Sequence, residues 1–244
     1  MTPHPESAGA RLAAGLHILA AIAGLFIVSA IIGSLIAPHL PEVLRMPILG
    51  LALWGGVLTG GLMLRLAKTS YGDIGFTPPK SLAACVGWVI AAILLSEAGV
   101  VAIGEAAHRF TTWPPLNVDY IQTSISGNLT AYLIWMTLVV WGSAAFGEEL
   151  LARGFLLHRL QVVFGRGLVG VTIAVIGQAA IFGLLHAIQG PTGIVITAYV
   201  GLVLAVVYFA SGRNLWAPIL AHGLMDSASL TLMYLGHLPL GFIR

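Results

Sequence analysis

The sequence predicts an all-α polytopic membrane protein, with seven to eight transmembrane helices enclosing an intramembrane cavity. Three observations carry this. Of 244 residues, 58% are hydrophobic and 8% charged, whereas an average soluble domain carries about 25% charged residues. The apolar residues come in stretches of about 20, the length that crosses roughly 30 Å of hydrocarbon at ~1.5 Å per helical residue. A β-barrel, the other way to satisfy every backbone hydrogen bond in lipid, needs short segments alternating apolar with polar, and nothing here alternates.

The elements follow in order. Residues 1–11 carry His4, Glu6 and two prolines, and the apolar stretch behind them is too long for a signal-peptide core, so a retained first anchor is expected. Apolar spans are expected near 12–37, 47–66, 82–103, 130–147, 168–188, 192–211 and 215–235. Segment 147–165 continues the fourth span without a proline but contains Glu148, Glu149, Arg153, His158 and Arg159, so it is either a long tilted helix or an eighth one. Pro38, Pro41 and Pro47 close the first loop, a polar turn occupies 71–79, and Gly190-Pro191 separates the fifth and sixth spans. The longest polar stretch, 104–128, carries Trp113-Pro114-Pro115, with a ring suited to the membrane interface or to capping a loop. The whole chain, 1–244, reads as one transmembrane domain with its chemistry-bearing region at about 130–236.

Charge narrows the partners. A net +2 without any run of Lys or Arg points away from nucleic acid and from a polybasic lipid switch. The single cysteine, Cys85, lies in an apolar run; it excludes an intrachain disulfide and a thiolate zinc site and is expected to pack. With seven spans, the N-terminus and the even loops hold eight Lys and Arg residues and the other side three, Arg45, Arg109 and Arg244. The expected location is a bacterial inner or plasma membrane with the N-terminus cytoplasmic.

A charge at membrane depth costs roughly 2.5 to 3.5 kcal/mol on insertion scales, so the polar residues of the C-terminal half demand an account. Glu149 and Arg153 are four apart on one helix face and can pair, while Glu148 is turned away by about 100° and is left free to react. Phe182 and His186, then His222 and Asp226, repeat the spacing of four on two further helices. Three polar faces can converge only if those helices pack around a shared interior, which Gly142, Gly147, Gly154, Gly183 and Gly223 assist.

These motifs resemble the CAAX protease and bacteriocin-processing family, the glutamic-type intramembrane proteases that include the type II CAAX prenyl endopeptidases. Glu148-Glu149-x-x-x-Arg153 resembles the family's EExxxR, Phe182-x-x-x-His186 its FxxxH, and His222-x-x-x-Asp226 its HxxxN or HxxxD. The resemblance lies between 148 and 226; the preceding part is matched only as hydrophobic helices. It implies that Glu148 with His186 activates water, that His222 and Asp226 stabilise the transition state, and that Glu149 and Arg153 are structural. Physical chemistry agrees: a carboxylate in apolar surroundings takes a proton from water more readily and can return it to the leaving amine. Type II enzymes usually carry Asn at the position of Asp226, and an ionised carboxylate there would repel an oxyanion. Asp226 is therefore either protonated or, the preferred reading, holds His222 in its charged form from one turn away. Phe182 is read as packing beside the site.

The expected substrate is a membrane-associated protein or peptide, prenylated, otherwise lipidated or bare, entering as an extended strand because a helix hides its carbonyls in hydrogen bonds. The cavity is expected to open on the cytoplasmic side, from the placement of Arg153, Arg159 and Arg166 beyond the acids. No cofactor is expected; zinc on Glu148, His186 and His222 is the alternative, against which stand the lack of an HExxH helix and the metal-independent mechanism the resemblance implies. Rival readings are a proton-coupled transporter using Glu97, Glu148 and Asp226, and a non-proteolytic immunity or scaffold protein. His158, His108, His17, His4, His39 and His237 are read as interfacial, and Glu97 as near the outer surface or lining a cavity.

Overall fold

The computed structural model describes residues 6–237, so His4 and Arg244 lie outside the described residues. Every regular element among these is helical. Ser7 accepts the Ala10 amide and caps α1 (Ala8–Ile31), which runs on through a π turn, Ile32–Ile36. A proline corner leads to α2 (Glu42–Gly50) and α3 (Leu53–Leu66), which form one apolar span, Glu42–Leu66. Ser81 caps α4 (Leu82–Phe110) in the same way. The expected polar stretch is thus partly helical: α4 continues to Phe110, and a short α5 (Asp119–Ile125) sits between it and the next span.

The fourth span and the charged segment behind it form one continuous rod, α6 (Leu129–Phe164, 36 residues), so no separate eighth helix exists there. At ~1.5 Å per residue such a rod far exceeds the roughly 30 Å of hydrocarbon. Its middle is wound as π-helix over Trp135–Glu148 and Leu150–Leu156, a rare winding that tends to mark functional sites. Then come α7 (Leu168–Leu185), α8 (Gly190–Ala210) and α9 (Trp216–Tyr234). Six rods are long and apolar enough to cross a membrane, and α9, with two polar motif residues, packs against α4, α6 and α8 as a seventh.

One apolar cluster joins α1, α3, α6 and α7 through Ile18, Leu64, Phe155, Leu157 and Ala174; another joins α4, α8 and α9 through Val89, Leu204 and Ala221, with Cys85 packed inside it as expected. Large apolar side chains such as Leu12, Leu19, Leu94 and Val169 face outward, as a lipid-solvated surface requires. The chain is an integral membrane protein. The two ends of the bundle differ. At one end the N-terminal segment meets the α6–α7 turn through Glu6 and Arg166, and the 67–81 loop meets the α8–α9 turn through Asn214 Nδ2 donating to the Thr77 carbonyl. At the other, the Asn117 amide donates to the Gln189 carbonyl and Thr192 to that of Pro114.

Candidate active site

Three of the five carboxyl and imidazole groups of the motifs form one chain that starts at a buried arginine. Arg153 and Glu149 are both fully buried, and Arg153 Nη1 donates to Glu149 Oε1 at 2.7 Å, the pairing their spacing predicts. Arg153 Nη2 donates to the Gly201 carbonyl of α8 at 3.1 Å, and the guanidinium lies 4.5 Å from the centre of the Phe182 ring. Phe182 is therefore a packing partner of the arginine as well as a neighbour of His186. The same Glu149 Oε1 accepts from His222 Nδ1 at 2.8 Å. Sequence reasoning missed this second contact, because an i,i+4 rule sees partners only along one helix. His222 Nε2 then lies 3.5 Å from Asp226 Oδ2, one turn on. Asp226 does face His222 as expected, but the closer carboxylate orienting that ring is Glu149.

Glu148 lies off this network and meets a different histidine. Helix α7 ends at Leu185, so the Phe182 carbonyl is among the last four that have no amide partner in the helix. His186 Nδ1 lies 2.8 Å from it. A carbonyl can only accept, so Nδ1 carries the proton, which leaves Nε2 as the acceptor in the neutral tautomer. That atom is 3.9 Å from Glu148 Oε1, which is also an acceptor. Two small residues bring the helices this close: a Cβ on Gly183 would meet Ala198 of α8 at 2.8 Å, and one on Gly223 would meet the Trp141 ring of α6 at 2.7 Å.

Glu148, Phe182, His186, His222 and Asp226 line one cavity of about 220 Å³. Glu97 and the fully buried Ser96 of α4 line it too, which answers one of the two readings of Glu97. A second, apolar cavity of about 290 Å³, walled by Ile18, Ile22, Leu25 and Phe26 of α1, reaches Glu148, Phe182 and His186 from the other side. The lining of the first cavity runs out to Leu116, Val118, Ile121, Gln189 and Met233. It thus opens at the end of the bundle opposite Arg159, Arg166 and Arg213, not toward them as expected. The physical reason is that Arg153 and Arg159, 0% and 5% exposed, are buried and do not mark the interface beside the acids. His158 at 9% exposure is likewise buried rather than interfacial. Among the described residues no three His, Cys, Asp or Glu side chains are arranged as a metal-ligand set.

An all-α membrane bundle that gathers two glutamates, two histidines and an aspartate around an internal cavity defines a class of intramembrane carboxylate–histidine sites. Residues 130–228 match the family model described as type II CAAX prenyl endopeptidase Rce1-like, which supports the resemblance of the three motifs to the CAAX protease and bacteriocin-processing family. Members are membrane proteases that act on protein substrates. No curated protein and no solved structure matches the chain.

Proposed function

We propose that the protein is an intramembrane endopeptidase in which Glu148 and His186 activate water to hydrolyse a peptide bond of a membrane-associated protein or peptide. The family match supports the peptidase class. The observation that carries the mechanism is the pair of acceptors, Glu148 Oε1 and His186 Nε2, facing each other across 3.9 Å. With His186 in its neutral tautomer and Glu148 ionised neither donates to the other, but a water molecule between them donates one O–H to each and turns its lone pairs toward the cavity. As that oxygen attacks the carbonyl carbon, Glu148 takes its proton and later delivers it to the leaving amine. His222, its Nδ1–H on Glu149, turns Nε2 to the cavity as the donor for the oxyanion. Asp226 Oδ2 lies 3.5 Å from the same Nε2. No step calls on a metal.

The apolar cavity beyond Glu148 accommodates a hydrophobic side chain, an isoprenoid or another lipid chain of the substrate. The test is cleavage of farnesylated and unmodified peptides in liposomes by wild type, Glu148→Gln and His186→Ala, with and without chelator. Cleavage lost in both variants and indifferent to chelator supports the reading; chelator-sensitive cleavage favours zinc. Three carboxylates, Glu97, Glu148 and Asp226, line one cavity, which also suits a proton pathway; Glu148-dependent proton flux without cleavage would replace the protease reading. The arginine distribution favours a cytoplasmic N-terminus, and with that insertion the cavity mouth faces the extracytoplasmic side. Labelling a cysteine placed at the exposed Ser126, at the end of α5, from either side of the membrane decides which side that end of the bundle faces.

A further inference from the structure

A third cavity, of about 490 Å³, lies at the arginine-bearing end of the bundle and has no part in the site above. It is walled by the start of α1, the loop after α3 and the last turns of α6. Arg159 faces it while only 5% exposed, and among the described residues no carboxylate lies within ion-pairing distance of its guanidinium. Among the described residues its one hydrogen bond, Nη2 to Thr69 Oγ1, is long at 3.3 Å. Among the described residues Arg159 Nε, His158 Nδ1 and His17 Nδ1 are buried without a partner, and all three residues line this cavity. A guanidinium withdrawn from water without an anion is costly and points to a missing acceptor, and the two imidazoles beside it can each turn an Nδ1–H to the same group.

The acids in the same wall limit what that group can be. Asp73 Oδ2 accepts from the Ser70 amide and hydroxyl, both at 2.8 Å, which holds its carboxyl below the usual range and keeps it ionised. Its Oδ1 makes no hydrogen bond among the described residues. Glu6 is 3.7 Å from Arg166 at the rim. These two negative charges repel a multiply charged anion, but they suit a single phosphodiester charge that carries an ammonium beside it. The cavity also lies at one end of the helix bundle, and α1 turns Leu12 and Leu16 outward next to it, 67% and 56% exposed, for acyl chains to follow.

We propose that this cavity binds the headgroup of a zwitterionic phospholipid of the ethanolamine type, its phosphate on Arg159, His158 and His17 and its ammonium on Asp73. The acceptor oxygens satisfy the buried donors, and the bound lipid ties α1 to the end of α6, the rod that carries Glu148. The full chain, stripped of lipid in detergent, is offered phosphatidylethanolamine, phosphatidylglycerol or diacylglycerol with identical chains, and binding is read by native mass spectrometry. Phosphatidylethanolamine is expected to bind at least tenfold more tightly than the other two. Arg159→Gln is expected to lose that preference and Arg159→Lys to keep part of it. Ala13→Phe fills the cavity without altering charge and is expected to exclude the lipid even where Arg159→Gln does not fold. Equal binding of diacylglycerol, or unchanged binding by Ala13→Phe, overturns the proposal. Displacement of the lipid by millimolar inorganic phosphate overturns the lipid as the source of the phosphate.

Discussion

Removing the carboxylate of Glu149 separates its two roles. In Glu149→Gln the buried Arg153 loses its ion-pair partner at 2.7 Å, and His222 loses its anionic acceptor at 2.8 Å. Both side chains of the Glu149–Arg153 pair are 0% exposed, and breaking such a pair from one side costs about 3–5 kcal/mol, roughly 10²- to 10⁴-fold in the folding equilibrium. Replacing both partners, as in Glu149→Leu with Arg153→Met, removes the uncompensated charge. It leaves the Gly201 carbonyl and His222 Nδ1–H unpaired, so the double variant is expected within about 1–3 kcal/mol of wild type. Cleavage behaves differently: without Glu149 the His222 ring has no fixed orientation, and activity is expected to stay about 100-fold or more below wild type in both variants. Thermal and denaturant unfolding in detergent, run beside cleavage of whichever peptide the wild type accepts, reads the two effects separately. A double variant as stable and as active as wild type refutes the positioning role and leaves Glu149 a structural ion pair. A single variant that unfolds like wild type refutes the claim that Arg153 depends on it.

Other expectations follow from the same geometry. Asp226→Asn should cleave within a few-fold of wild type, because Asp226 is the more distant of the two carboxylates on His222, whereas His222→Ala should lose about 10²- to 10³-fold in kcat. Gly183→Val should weaken folding by about 1–3 kcal/mol or more, since its added carbons collide with Ala198 and the Ile194 carbonyl; denaturant unfolding in detergent checks this. The Asp73 carboxyl, held down by the two hydrogen bonds from Ser70, should titrate below an ordinary aspartate in carboxyl NMR. Since its folded-state value is depressed, the stability it contributes is present above the unfolded-state pKa and lost as pH falls through the depressed one; Ser70→Ala should return the titration toward the ordinary value.

Much of the protein is legible without coordinates, for reasons of solvation. Apolar stretches of bilayer length must be helices because lipid offers their amides no other partner, so most spans are found to within a few residues, while the third runs on to Phe110 and the fourth to Phe164. The i,i+4 spacing of Glu149 with Arg153, and the convergence of three polar helix faces, are equally local or compositional signals. Contacts between helices are not. That Glu149 also orients His222, that Glu97 reaches the same cavity from α4, and that Gly201 accepts from Arg153 depend on how separate rods pack, which no spacing along one helix encodes. The direction in which the cavity opens was misjudged for the same reason. Arginine in a membrane sequence is read as lying at the interface, a rule that holds only while the side chain can reach water. Tertiary packing gives Arg153 a glutamate, a carbonyl and an aromatic ring in the interior instead, and so moves the acids away from the charged end of the bundle.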